Sequence, residues 1–108
     1  MVKKAALLCE EKKADNIVIL DMRGQIFFTD YFLICSGNTK VQSEAIAEFL
    51  IDSFRESGTK AKHIEGKSDL EWVLVDFGDF VAHVFTAGTR EFYNLEKLWA
   101  DAPQVKYQ

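Results

Sequence analysis

The stretch Glu71–Phe85, EWVLVDFGDFVAHVF, decides the fold. Apolar residues run through it almost without a break, and the interruption comes at the centre, where Asp76, Gly78 and Asp79 surround Phe77. That centre has three readings: a DFG element of a phosphotransferase, a pair of metal-binding carboxylates, or the turn of a hairpin. A kinase-type phosphotransferase needs a glycine-rich phosphate loop, a lysine on a strand and a catalytic loop, and none of these companions is present. Two carboxylates that serve the same metal ions from one strand must stand two residues apart, because side chains alternate between faces. Asp76 and Asp79 are separated by three positions and flank a glycine, so a single strand cannot aim both at one site.

The turn reading accounts for every residue. If Asp76, Phe77 and Gly78 form a three-residue loop, with Gly78 in the left-handed region after a type I turn, then WVLV (72–75) and DFVAHVF (79–85) pair antiparallel. Val75 then lies opposite Asp79, and Trp72 opposite Ala82. The expected faces are Trp72, Leu74, Phe80, Ala82 and Val84 on one side and Val73, Val75, Val81, His83 and Phe85 on the other. Both are apolar and both need cover, which a chain with few helices is short of, so part of a face is expected to await a partner. Phe77, at the loop tip, is expected to point away from the core. Trp72 divides between core and interface: tryptophan is highly buried on average, yet exposed aromatics anchor interfaces. Asp69, Glu71, Asp76 and Asp79 would rim such a patch with negative charge.

Working outward, the 108 residues are near the modal size of one domain, so 1–108 is expected to form a single domain around one core. With 48% hydrophobic residues, one proline and six glycines, the composition is that of a globular protein. A net charge of -4 leaves little direct nucleic-acid binding to expect and fits a basic protein partner better. Cys9 and Cys35 come without a CxxC or Cys/His cluster, which argues against a disulfide scaffold or a zinc site and for a reducing, cytoplasmic setting. The apolar segment Ala5–Cys9 is too short for a signal peptide or membrane span, and a short surface helix is expected there.

Ile17–Leu20 and Tyr31–Asn38 read as strands covered on both faces, the first ended by a turn at Gly24. The period then changes. Val41, Ala45, Ile46, Phe49, Leu50 and Phe54 fall on one side of a helix, and Glu44, Glu48, Asp52 and Arg55 on the other; Ile51 lies off this stripe and is expected at the surface. Thr39 with Gln42 suits a capping box, and Gly58 suits the left-handed position past the C-terminus. AKHI (61–64) reads as a short edge strand before the polar loop EGKSDLE. In TREFYNLEKLWADAP, Phe92, Leu95, Leu98 and Trp99 stand at helical spacing, with Thr89 as N-cap and Pro103 beyond the end. The sum is an α/β protein, a mixed β-sheet with helices packed on it. His83 reads as a hydrogen-bonded core histidine, His63 and Cys35 have no evident partner, and the SGNT turn (36–39) is a weak signal for an anion at a helix N-terminus.

The segments DMRG, TDYFLICSG, EWVLVDFGDFVAHVF and REFYNLEKLW, in this order and spacing, resemble the bacterial ribosomal silencing factor family, also called Iojap-like. The resemblance implies a nucleotidyltransferase-like topology that lacks the catalytic motif, with no catalytic, cofactor or metal residues. It implies a translational repressor that binds the large ribosomal subunit through its protein fourteen and blocks joining of the small subunit. The family's tryptophan at the start of the hairpin and its apolar residue inside the turn are contact residues that match Trp72 and Phe77. The second is usually aliphatic, so Phe77 is a departure. Homodimers are common in the family. The resemblance moves Trp72 toward the interface, with Asp69, Glu71, Asp76 and Asp79 as its acidic surroundings. The alternative from another class is a nucleotide-handling enzyme, for which SGNT together with Asp21 or Asp76 is the only support.

Overall fold

The computed structural model describes residues 1–25 and 28–108. Its strands are β1 (Asp15–Asp21), β2 (Tyr31–Gly37), β3 (His63–Glu65), β4 (Trp72–Asp76), β5 (Phe80–Thr86) and β6 (Gln104–Val105), and its helices α1 (Val2–Glu11), α2 (Lys40–Glu56), α3 (Ala87–Tyr93) and α4 (Leu95–Leu98). The strands form one mixed sheet in the order β3-β4-β5-β2-β1-β6. Only β2 and β5 run parallel; every other neighbouring pair is antiparallel. This is the α/β architecture expected, a mixed sheet with helices packed on it. The edge strand β6, which pairs Ile19 with Val105, was not among the expected elements, because two residues leave no periodicity to read.

Helices α1 and α2 cover one face. Val2, Ala5, Ala6 and Cys9 of α1 and Ile46, Ala47, Leu50, Ile51 and Phe54 of α2 pack there on Ile19, Leu33, Cys35, Val73, Val75, Phe80, Ala82 and Val84. The expected stripe of α2 is rotated. Val41 is 75% exposed and Ala45 also faces out, while Ser43, Ala47 and Ile51 turn inward. Ser43 sets the rotation, since its hydroxyl donates to Leu70 O at 2.6 Å and so loses nothing by burial; Ser43, Ile46, Ala47, Leu50 and Phe54 then follow the spacing of one helix face. The ends are as expected: Thr39 accepts from Gln42 N. Beyond Gly58 (φ +97°), the Gly58 N–H to Arg55 O and Thr59 N–H to Phe54 O bonds make a Schellman motif.

The hairpin forms, but in another register. Asp76 pairs with Val81, Val75 with Ala82 and Trp72 with Phe85, and the Phe77 N–H donates to Phe80 O at 3.0 Å. The loop is therefore Gly78 and Asp79. Gly78 has φ +94° and Asp79 is not at positive φ, the combination of a type II′ turn. Relative to expectation, the partner of Val75 moves from Asp79 to Ala82, an odd number of residues, so β5 exchanges faces against β4. Phe80, Ala82 and Val84 join Val73 and Val75 under α1 and α2, whereas Val81, His83 and Phe85 lie with Trp72 and Leu74. The tighter turn adds a Phe77–Phe80 pair whose rings stack at 4.9 Å, and both meet Phe54. Burying a phenylalanine is worth about 2–3 kcal/mol, which outweighs the choice between loop types.

The second face carries Leu20, Met22, Phe32, Ile34, Val81 and Phe85 under Leu95, Trp99 and Ala102. The single C-terminal helix expected from Thr89 is in fact two, and the first begins earlier, at Ala87, with Thr86 in the N-cap position but making no side-chain cap bond. Asn94, in the left-handed region, ends α3 and caps α4, accepting from Lys97 N. Phe92, at 81% exposed, and Leu98, at 69%, consequently leave the face that Leu95 and Trp99 share. Arg90 fixes the break. Its buried guanidinium donates to Ser36 Oγ, to Asp15 O and, at 3.0 Å, to Glu96; Asp15 precedes the bulge between it and Val18 that disrupts the β1–β2 ladder.

Candidate interaction site

The break at Asn94 and the short second helix leave β4 incompletely covered. Trp72 and Leu74, adjacent residues of one face of β4, floor a groove of about 530 Å³. One wall is α3, with Gly88, Thr89, Phe92 and Tyr93; the other is the β3–β4 segment, with Glu65, Gly66, Asp69 and Glu71. Aromatic surface on one side and carboxylates on the other suit a basic side chain with an apolar stem.

The walls are held by specific bonds. The Leu70 N–H donates to Gly66 O and the Thr86 N–H to Glu71 O, Asp69 Oδ1 accepts from the Glu71 N–H, and Ser43 ties Leu70 O to α2. Lys67 pairs with Glu48 of α2. Gly66 (φ +87°) passes so close to the following strand that a Cβ there would lie 1.9 Å from Trp72 O, so this turn admits no side chain.

Trp72 is partly buried. Its indole packs on Tyr93 at 4.8 Å and Phe85 at 4.9 Å, and its Nε1–H donates to His83 Nδ1 at 3.1 Å. Trp72 is thus neither wholly core nor wholly exposed: one part of the ring is packed and another lines the groove. His83 is hydrogen-bonded and only 4% exposed, as expected of a core histidine, but its partner lies on the face that the expected register denied it. Burial pushes its pKa down to about 4, so the ring is neutral at physiological pH.

Of the residues expected to make contact, Trp72, Glu71 and Asp69 come together. Asp76, Phe77 and Asp79 lie at the other end of the hairpin, Asp76 being about 13 Å from Trp72 along β4 at the usual strand rise. The expectation that Phe77 points outward is overturned: it is 3% exposed, because the two-residue turn carries it back into the ladder and against Phe54. Asp76 Oδ1 accepts from the Gly78 N–H at 2.8 Å, a turn role, and Asp79 is exposed. Glu65, Leu74, Thr89, Phe92 and Tyr93 were not anticipated. The signal for Phe92 and Tyr93 was Asn94, which favours both N-caps and left-handed backbone and so marks the end of a helix.

The parts of the enzyme reading are scattered. Asp21 pairs with Tyr31 at the start of β2, and Asp76 lies beside Val81 at that same end, whereas SGNT begins with the last two residues of β2 at its far end. Asp21 is held by Arg23 at 2.7 Å, which lowers its pKa. Cys35, for which no partner was evident, has one: its thiol lies 3.9 Å from that of Cys9, and both are buried. The contact with Cys35, together with burial, pushes the Cys9 pKa up, away from the nucleophilic thiolate. Among the described residues, no group of three or more His, Cys, Asp or Glu is gathered as for a metal ion, and no helix is long and apolar enough to cross a membrane.

Comparison with known proteins finds relatives along the whole chain. A family model described as "Ribosomal silencing factor during starvation" matches residues 1–108. The chain is 50% identical over 103 residues to "Ribosomal silencing factor RsfS" of Bacillus subtilis, covering 95% of this chain and 87% of that protein. It is 34% identical over 95 residues to the mouse protein "Mitochondrial assembly of ribosomal large subunit protein 1", covering 85% of this chain and 42% of that one. A crystal structure of a protein from Bacillus halodurans superposes with a TM-score of 0.85 at 42% identity, covering 97% of this chain and 96% of the other. With the match running the whole length and the mixed sheet shared with a solved relative, this chain belongs to the ribosomal silencing factor family.

Proposed function

We propose that this protein is a translational repressor that acts by occupancy. It docks on the large ribosomal subunit through that subunit's protein fourteen, and its volume then excludes the small subunit; no bond is made or broken. The family supports a silencing role at the ribosome, and the name of the mouse relative refers to the large subunit. The observation that carries the docking reading is the groove, in which Trp72, Phe92 and Tyr93 face Glu65, Asp69 and Glu71. A net charge of -4 favours a basic protein surface over nucleic acid. In this reading Trp72, Asp69 and Glu71 contact the partner, Asp76 and Asp79 act at longer range by attraction during approach, and Phe77 supports the turn from within the core. The setting is the cytoplasm, where ribosomes are met.

The test is co-sedimentation with separated subunits. Binding to large and not small subunits is expected, with purified protein fourteen as competitor and an association rate that falls as salt rises. Trp72→Ala is expected to weaken binding by about 2 kcal/mol or more. Equal binding to both subunits, or full binding by folded Trp72→Ala, counts against the reading. Turnover of labelled nucleotides with magnesium would reinstate an enzyme.

A further inference from the structure

The imidazole of His83 sits where an apolar side chain would serve the fold better. It lies opposite Leu74 in the ladder, with the Phe32 ring edge-on at 4.5 Å and the Phe85 ring stacked at 6.2 Å. An indole N–H can only donate, so the bond from Trp72 makes Nδ1 an acceptor and leaves the proton of the neutral ring on Nε2. That Nε2–H is buried and finds no acceptor among the described residues. An unmet buried donor is destabilising, and replacing it with an apolar group of similar shape removes the penalty. The fold therefore carries a cost at this position that the Nδ1 bond to Trp72 offsets only in part.

We propose that His83 is a positioning residue of the groove: by accepting the Trp72 indole N–H it sets the orientation of the ring that floors the site. Tyr93 and Phe85 confine the indole by contact, but contact between flat rings permits sliding and flipping; a single directional hydrogen bond selects one placement. Holding the ring before the partner arrives lowers the ordering cost of binding. The function of this placement rests on the docking reading above, whereas the placement itself does not.

The decisive variants are His83→Leu, which removes the acceptor, and His83→Asn, whose side-chain oxygen can occupy the place of Nδ1. In proton–nitrogen NMR spectra, the indole resonance missing from Trp72→Phe identifies Trp72. It is expected to shift upfield and exchange faster with solvent in His83→Leu, and to stay near its native position in His83→Asn. His83→Leu is expected to melt at or above the native temperature yet bind large subunits about tenfold more weakly, with His83→Asn recovering most of that loss. A Trp72 indole resonance unchanged in His83→Leu overturns the proposal, as does native binding by a His83→Leu protein whose indole bond is gone. Should the native protein not bind large subunits at all, the docking reading falls, and the indole resonance alone still decides whether His83 holds Trp72.

Discussion

The two ends of the β4–β5 hairpin are built from similar ingredients and come to opposite ends. Each has an aromatic residue beside carboxylates, Trp72 with Asp69 and Glu71, Phe77 with Asp76 and Asp79. At the first end the ring stays at the surface, lining a groove between α3 and the β3–β4 segment; at the second it is buried beneath α2, stacked on Phe80 and against Phe54. The difference is cover. Helix α2 ends over the turn, while α3 breaks at Asn94 and leaves β4 half roofed. Local composition did not distinguish the ends; the helix above each one did.

The largest expected effect breaks the buried end. Phe77→Ala removes a ring enclosed by Phe54 and Phe80 and is expected to cost about 3–5 kcal/mol of stability, read as a fall in denaturation midpoint. If the variant melts normally and loses only ribosome binding, Phe77 is a surface contact and the comparison collapses.

Acid sharpens the other end next. His83 has its pKa lowered from 6.5 to about 4 by burial, and its aromatic and aliphatic neighbours Phe32, Trp72, Leu74 and Phe85 carry no charge. Below pH about 6.5 the unfolded chain takes up a proton that the folded chain refuses. The stability present above that pH is therefore lost progressively as pH falls toward 4, by about 3 kcal/mol in all. Urea denaturation between pH 7 and 4 should show this slope, and His83→Leu should remove it. An equal slope in both proteins would place the imidazole in water.

Each end also has a glycine at positive φ, and the pair separates strain from crowding. Gly78→Ala meets only the flexible end of Lys62 and should cost the left-handed penalty of about 1–2 kcal/mol. Gly66→Ala adds a collision with the Trp72 carbonyl, so its midpoint should fall further and the Trp72 emission should shift; equal losses would mean that the groove wall yields freely. The smallest effects belong to Asp76→Asn and Asp79→Asn. Asn keeps an acceptor for the Gly78 N–H, so stability should change by less than about 0.5 kcal/mol, and the association rate should drop modestly at low salt. Loss of a tight magnesium or manganese site in either variant would restore the metal reading of the turn.

Much of this was legible in the chain itself. The strands around Ile17–Leu20 and Tyr31–Asn38, the helix between Thr39 and Gly58 with both caps, and the existence of a hairpin between Trp72 and Phe85 follow from period, cap chemistry and turn chemistry, which are local, while the family resemblance rests on four segments in order and spacing. Trp72, Asp69 and Glu71 line one groove because they are neighbours in sequence, and the resemblance singles out Trp72. Phe92, Tyr93 and Glu65 were not legible as part of it, because they reach Trp72 only through the packing of α3 and the return of the β3–β4 segment.

What the sequence by itself determined, then, was where the main strands and the long helix α2 lie and which segments connect them, because those depend on interactions among residues a few positions apart. The tertiary structure alone decided which face each side chain meets. A two-residue and a three-residue loop differ little in intrinsic energy, and α2 could present either of two overlapping stripes. The choice was made by burial of Phe77 and Phe80 beneath Phe54, by Ser43 finding the carbonyl of Leu70, and by Arg90 fastening α3 to Ser36 and Glu96. Each is a contact between residues distant in the chain or across a helix break, and each carries enough free energy to override a local preference of a fraction of a kcal/mol.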